Sequence, residues 1–374
     1  MMQGKLKLCA IAAVSALGIT NAHAQSSVTL YGLIDTTLTY TNHADAQGHG
    51  VVQYATPWFS GSRWGLTGKE DIGGGNTIIF KLESEFLTGD GSMDTPGVIF
   101  NRDAWIGLTN DTLGKLTVGR QNALARDVSG IYGDPYTSAA LSTEETGYTN
   151  NNNFKQLIFY ASSATGTRMD NGVVWKKVWA NGLFAGLGFQ FGNVAGSFST
   201  NTTYTAALGY NASSFHVSTF YDQAKVGNLT DKSFSVGGNY IFDIFRVNAG
   251  YFHYEGDQGA LGKRKDNAYT ASLKIVPKGA LDYEVGYQQL HASNAAYSAA
   301  TGATLNGYTP IGAATTVGSG RKDTLYGSVF YHLSKRTELY LVADYMKLHG
   351  GYKVATAPAA SSQAEFGLGM RTRF

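Results

Sequence analysis

From about residue 27 to its last residue the chain alternates apolar and polar side chains. In 28–40 one face reads Leu30, Ile34, Leu38 and Tyr40, and the other Tyr31, Asp35, Thr37 and Thr39. In 323–334, Leu325, Val329, Tyr331 and Leu333 oppose Thr324, Tyr326, Ser328 and His332. The last residues set Phe366, Leu368, Met370 and Phe374 against Glu365, Arg371 and Arg373. A period of two with one apolar face marks half-buried β-strands. After residue 24 no run of about 18 apolar residues occurs, so no transmembrane helix is available.

Strands of this kind are read at 27–40, 59–70, 76–87, 99–109, 114–121, 168–178, 182–192, 202–212, 214–226, 231–243, 244–256, 266–277, 280–292, 321–334, 336–348 and 363–374. The count is even, and the lengths centre near the roughly 9–11 residues that carry a tilted strand across a bilayer. Short connections (71–75, 110–113, 178–181, 277–279, 334–335) contrast with long ones (41–58, 121–167, 292–320, 349–362). Composition agrees: 47 Gly supply tight turns, while 23 Tyr and 19 Phe suit pleated surfaces.

Alternation alone fits two folds. In a soluble sandwich the apolar face looks inward; in a membrane barrel it meets lipid, and the polar face lines a wet lumen. Three features choose the barrel. The strands are even in number and similar in length, and aromatics such as Tyr31 and Tyr40, or Tyr283 and Tyr287, stand near strand ends where interfacial girdles form. The third is a secretory leader over residues 1–24: Lys5 and Lys7, an apolar stretch 8–19, then Ala22-His23-Ala24. Its apolar stretch is too short to span a membrane. Closure also removes strand edges, whose bare amides hydrocarbon does not tolerate. The expected fold is therefore all-β, one antiparallel transmembrane barrel over 25–374 with no internal domain boundary.

The only cysteine, Cys9, lies in the leader, so the mature chain has no disulfide and no thiol nucleophile, and Cys9 is misplaced for lipid attachment. Without Lys5 and Lys7 the 29 basic residues become 27, matching the 27 acidic ones, a balance that argues against a nucleic-acid partner. The mature histidines, His43 through His349, show neither zinc spacing nor a nucleophile elbow beside them. His332 and Ser328 share a face but carry no further signature. No catalytic set, metal site or cofactor is expected, and the chain is not read as an enzyme.

Several segments resemble one family. They are Gln25-Ser-Ser-Val-Thr-Leu-Tyr-Gly32, Ser62-Arg-Trp-Gly-Leu-Thr-Gly-Lys-Glu-Asp-Ile-Gly73, Asn101-Arg-Asp-Ala-Trp-Ile-Gly-Leu108, Gly114-Lys-Leu-Thr-Val-Gly-Arg-Gln121, Arg168-Met-Asp-Asn-Gly-Val-Val174 and Phe191-Gly-Asn-Val-Ala-Gly196, in order, with a terminal Phe374. Together they resemble the Gram-negative trimeric general porins, beta-proteobacterial type. The resemblance implies a sixteen-stranded barrel in the outer membrane, passing ions and small hydrophilic solutes by passive diffusion. It implies a homotrimer set among outer-membrane lipid and lipopolysaccharide, and a third external loop, here 122–167, folded into the lumen. Phe374 would be the signal read by the barrel-assembly machinery.

By the same resemblance Arg63, Arg102 and Arg168 form the basic wall of the constriction, and pleat parity supports Arg63 beside lipid-facing Trp64 and Leu66. Trp105 is read on the parity opposite to Arg102. The loop's acids are Asp127, Asp134, Glu144 and Glu145; the first two are favoured as the opposing carboxylates, the other two as solvated charges. Arg126 leaves the sign of selectivity open. Leu33 stands where some members carry lysine. Asp35, Lys81, Glu83 and Glu85 are further lumen charges. Phe252, Tyr254, Tyr326 and Phe330 allow a second version, a substrate-selective channel with an aromatic track. A barrel enzyme or adhesin, or a soluble secreted β-protein, is more distant.

Overall fold

A computed structural model describes residues 26–55, 58–129, 163–166, 168–297, 316–354 and 356–374. The leader and most of 122–167, with Asp134, Glu144 and Glu145, lie outside the described residues. Seventeen strands form one antiparallel sheet. They are β1 (Ser27–Thr41), β2 (Val51–Ala55), β3 (Arg63–Gly73), β4 (Asn76–Glu85), β5 (Asp103–Asn110), β6 (Gly114–Asn122), β7 (Arg168–Val178), β8 (Leu183–Gln190) and β9 (Thr203–Asn211). Then follow β10 (Phe215–Val226), β11 (Leu229–Phe242), β12 (Phe245–Asp257), β13 (Lys263–Ile275), β14 (Leu281–Tyr297), β15 (Thr316–His332), β16 (Thr337–Gly350) and β17 (Ser362–Arg373). One helical turn and a half, α1 (Leu124–Ser129), follows β6.

Each strand from β3 to β17 pairs with the next, and β17 returns to β1 with Leu33 opposite Arg373 and Thr41 opposite Glu365. The sheet is thus a closed barrel of sixteen strands. The extra strand, β2, is a short piece of the first long connection. It pairs with β1 over Thr37–Thr41, above the stretch where β3 pairs with Ser27–Leu33. Five residues are too few to announce themselves by alternation.

Burial is inverted relative to a soluble protein. Leu38, Leu325 and Leu341 are more than half exposed, at 55%, 53% and 57%, whereas Asp35 and Asp344 are 0% and 4% exposed. Every spanning strand therefore turns its apolar side outward and its polar side inward, as lipid outside and an aqueous lumen require.

One girdle reading and one parity reading need correction. Tyr31 does not join an outer girdle; it points inward and its hydroxyl donates to Glu83 Oε2 at 2.6 Å. Trp105 is likewise a lumen residue, with its indole nitrogen 3.1 Å from Asp103 Oδ1. Strand β5 begins only at Asp103, so the irregular residues before it break the parity counted from Arg102.

Candidate functional site: the lumen wall

Strands β3, β4 and β5 place their odd-numbered side chains in the lumen, and the charges among them converge. Glu83 is the centre. It accepts from Arg102 Nε at 2.6 Å and Tyr31 at 2.6 Å, with Lys81 Nζ at 3.2 Å and Arg63 Nη1 at 3.8 Å. Register brings Arg63 opposite Glu85, and it sets Glu83 opposite Asp103, two acids with Lys81 between them at 3.2 and 2.8 Å. Arg102 also donates through Nη1 to Glu85, which lies in the fields of Arg168 and Arg63 as well. Arg63 and Arg102 therefore converge on Glu83 and Glu85, and Arg168 lies near enough for its charge to act on Glu85.

A second group adjoins the first. Lys81 donates to Asp103 at 2.8 Å, and Lys81, Asp103, Lys115, Asp127 and Lys176 line one small cavity. Lys115 lies 5.6 Å from the centre of the Trp105 ring. Asp127 comes from α1, where Lys176 of β7 donates to one carboxylate oxygen and Asn122 to the other. Asp127 is thus paired with Lys176. Lys115, Lys176 and Asp103 were absent from the sequence reading; the odd positions of β5 and β6 and the even ones of β7 carry the signal that would have placed them.

Helix α1 lies inside the barrel. A six-residue helix is not stable alone, and packing supplies what local structure lacks: Leu124, Ala125 and Val128 are fully buried in one cluster with Met169, Phe184 and Phe220. Gly186 makes room, since a Cβ there would sit 2.9 Å from Leu124 Cδ2. Ser218 adds a hydrogen bond to the Val128 carbonyl at 3.4 Å. The chain between α1 and Ser163 lies outside the described residues.

On the adjoining strands β1, β16 and β17, Asp35 accepts from Tyr340 at 2.5 Å and from the Ser60 amide at 2.9 Å. Arg371 donates to Glu338 at 2.5 Å and to Ser60 at 3.0 Å, and lies 5.9 Å from Phe59 and 5.7 Å from Phe330. His332 does not build a catalytic pair with Ser328 in this arrangement; its Nε2 is 3.0 Å from Asp282 and its Nδ1 3.3 Å from Glu338. The proposed aromatic track is not available as a sugar-binding surface. Phe330 packs against Phe59 and Tyr340 at 4.9 and 5.4 Å, and Phe252, Tyr326 and Phe330 are 2%, 6% and 1% exposed. Among the described residues no group of three or more His, Cys, Asp or Glu could hold a metal ion.

A closed antiparallel barrel with an apolar exterior and a charge-lined interior is a transmembrane channel of the outer-membrane kind. The profile of the Gram-negative porin family matches residues 9–351, and the chain belongs to that family. An outer membrane porin of Bordetella pertussis is 28% identical over 389 residues, covering 94% of this chain and 96% of the relative. Among solved structures, the anion-selective porin from Comamonas acidovorans superposes with a TM-score of 0.70 at 23% identity, covering 94% of this chain and 100% of its own. The trimer form of OmpT, an outer membrane protein of Vibrio cholerae, gives 0.64 at 15% identity over 93% and 99%. The protein is an outer-membrane porin, a channel for passive diffusion of ions and small hydrophilic solutes.

Proposed function

We propose that this porin is a general diffusion pore whose narrowest level is the wall formed by Arg63, Arg102 and Arg168, and that this wall draws anions. The observation that carries the reading is the charge count of the two adjoining groups among the described residues. Arg63, Lys81, Arg102, Lys115, Arg168 and Lys176 stand against Glu83, Glu85, Asp103 and Asp127, six cations to four acids. Fixed charges on a low-dielectric wall bias which ion enters. The solved porin from Comamonas acidovorans is described as anion-selective, which supports the same sign here. In this reading Asp134 is a further acid of the constriction loop, Glu144 and Glu145 are solvated loop charges, and Asp35 belongs to the strand beside Arg63.

The assembled form is a homotrimer, as in the Vibrio cholerae structure described as a trimer. Cleavage after Ala24 frees the mature chain, the barrel-assembly machinery reads Phe374, and lipopolysaccharide surrounds the finished barrel. The channel carries no catalytic step. Planar-bilayer recording in a salt gradient tests the reading: a reversal potential of anion-preferring sign, with closure in three equal steps, is the expected trace. A cation-preferring potential would overturn the charge assignment, and single steps would overturn the trimer.

A further inference from the structure

Below the arginine wall, on the side of the short connections, the lumen holds a pocket that simple diffusion does not need. Its volume is about 590 Å³, and its lumen-facing lining includes Tyr31, Arg63, Thr67, Lys69, Lys81 and Trp105. Small-molecule sites commonly enclose about 300–1,000 Å³ and combine aromatic surface with a few placed charges. Register sets the levels. Tyr31 lies opposite Gly65, and Gly65 opposite Glu83. One pleat further, Thr67 lies opposite Lys81, and Lys81 opposite Trp105. Lys69 follows on β3, and the stretch from Arg63 to Lys69 spans roughly 20 Å.

Both rings are held. Tyr31 donates to Glu83 Oε2 at 2.6 Å and crosses Gly65 on the way, since a Cβ at residue 65 would sit 2.7 Å from the Tyr31 hydroxyl and 2.9 Å from its Cζ. The ring therefore lies along the wall, with its other face turned to the lumen. The Trp105 indole donates to Asp103 at 3.1 Å, and Lys115 Nζ lies 5.6 Å from the ring centre. Lys81 Nζ is 5.9 Å from the centre of the Tyr31 ring. The anchoring acids are turned into the wall, Glu83 and Asp103 being 1% and 4% exposed. Tyr31 and Trp105 are half-buried and Lys69 is exposed, so a solute meets rings and ammonium groups before it meets a carboxylate. Among the residues that line the pocket, Arg63, Lys69, Lys81 and Arg373 stand against Glu83 as the one acid. Lys69 has no acid opposite it, because its register partners are Ser27 and Ile79.

Aromatic faces attract a flat ring, and ammonium groups on a low-dielectric wall attract a carboxylate. We propose that this pocket is a binding site for small aromatic carboxylates, the solute's ring lodged between Tyr31 and Trp105 and its carboxylate directed to Lys69. Because hydrogen bonds already fix both protein rings, binding costs little further ordering. The site names a solute class for the lumen and rests on the proposed diffusion pore. It retains one kind of anion on the way between the arginine wall and the short connections.

The test is single-channel recording of the mature protein in potassium chloride, with benzoate, cyclohexanecarboxylate or benzyl alcohol added on the side of the short connections. The three probes are similar in size and separate the charge from the aromatic face. Benzoate is expected to interrupt the chloride current at about one-fifth of the concentration that cyclohexanecarboxylate needs. Benzyl alcohol should not block in that range. Trp105→Leu should bring benzoate to the level of cyclohexanecarboxylate, and Trp105→Phe should keep most of the difference. Lys69→Gln should raise the blocking concentration of both acids about threefold and leave their ratio alone. Equal block by the two acids in the unaltered channel, equal block by benzyl alcohol, a ratio unchanged by Trp105→Leu, or blocking concentrations unmoved by Lys69→Gln overturns the site. If the leucine variant fails to assemble, the two acids compared in the unaltered channel decide alone. Chloride current without any probe separates the two readings: a channel that conducts but treats the acids alike loses the site and keeps the pore. A preparation that does not conduct loses the pore, and equilibrium dialysis of the two acids against the protein in detergent then decides the site by the same ratio.

Discussion

Gly32 and Phe374 join the two ends of the barrel: each backbone nitrogen lies 3.0 Å from the other's carbonyl oxygen. The Phe374 ring occupies the space a side chain at residue 32 would need, with a Cβ there only 2.2 Å from Cζ. The last residue of the chain is thereby keyed to a glycine of the first strand. Gly32→Val should displace the ring and weaken closure by about 1–3 kcal/mol, seen as a lower temperature for loss of the folded band in heat-modified electrophoresis. Gly32→Ala should cost less, because the ring is half exposed and can turn. An unchanged melting temperature in the valine variant would show that the seam does not depend on this contact.

This seam shows what sequence can and cannot deliver. Alternation located all sixteen spanning strands, because one residue of slip would turn a whole strand's apolar side into water. It missed β2, whose five residues pair with the end of β1 beyond the stretch that β3 covers. Side-chain chemistry misplaced Tyr31, since a tyrosine suits an interface and a polar lumen equally well. That Arg63, Arg102 and Arg168 turn away from lipid was legible from their motifs. Their acidic partners were not recognised as such, because the level at which a lumen residue stands depends on the stagger between strands, which only barrel closure fixes. Lys115 and Lys176 escaped for the same reason.

Glu83 offsets Arg63, Lys81 and Arg102, so its loss should shift selectivity toward anions. A unit charge about 6 Å from a passing ion in water-like surroundings is worth about 0.7 kcal/mol, a factor of about three. Glu83→Gln should therefore raise the chloride-to-potassium permeability ratio about threefold. Arg102→Ala, which leaves Glu83 and Glu85 without their shared donor, should lower it by a similar factor. Reversal potentials in a potassium chloride gradient measure both. Shifts of the same sign in the two variants would contradict the wall described here.

Tyr340 donates to Asp35, and its hydroxyl lies 2.5 Å from Thr37 Oγ1, in a part of the wall that is 0–1% exposed at all three residues. Tyr340→Phe keeps the ring that fits over Gly369 but removes the hydroxyl, leaving the Asp35 carboxylate with less support. The expected cost is about 1–3 kcal/mol, read as a shifted urea midpoint for unfolding from lipid vesicles. Conductance should change little, because the arginine wall is on other strands. A stability equal to that of the unaltered protein would mean that water replaces the hydroxyl without penalty.

The contact between α1 and the barrel separates folding from permeation. Leu124 is fully buried against the wall, yet α1 takes no part in the hydrogen-bonded sheet. Leu124→Ala should cost the packing of this helix about 2–4 kcal/mol while the sixteen strands stay paired. Asp127→Asn should release the same segment by removing its charge from Lys176, and it also adds one positive charge to the wall. Both variants should keep the heat resistance of the folded band. In single-channel records both should show larger or noisier openings, and only Asp127→Asn should also move the reversal potential toward anions. If instead Leu124→Ala melts the barrel with unaltered openings, α1 is a part of the wall's core and does not shape the passage.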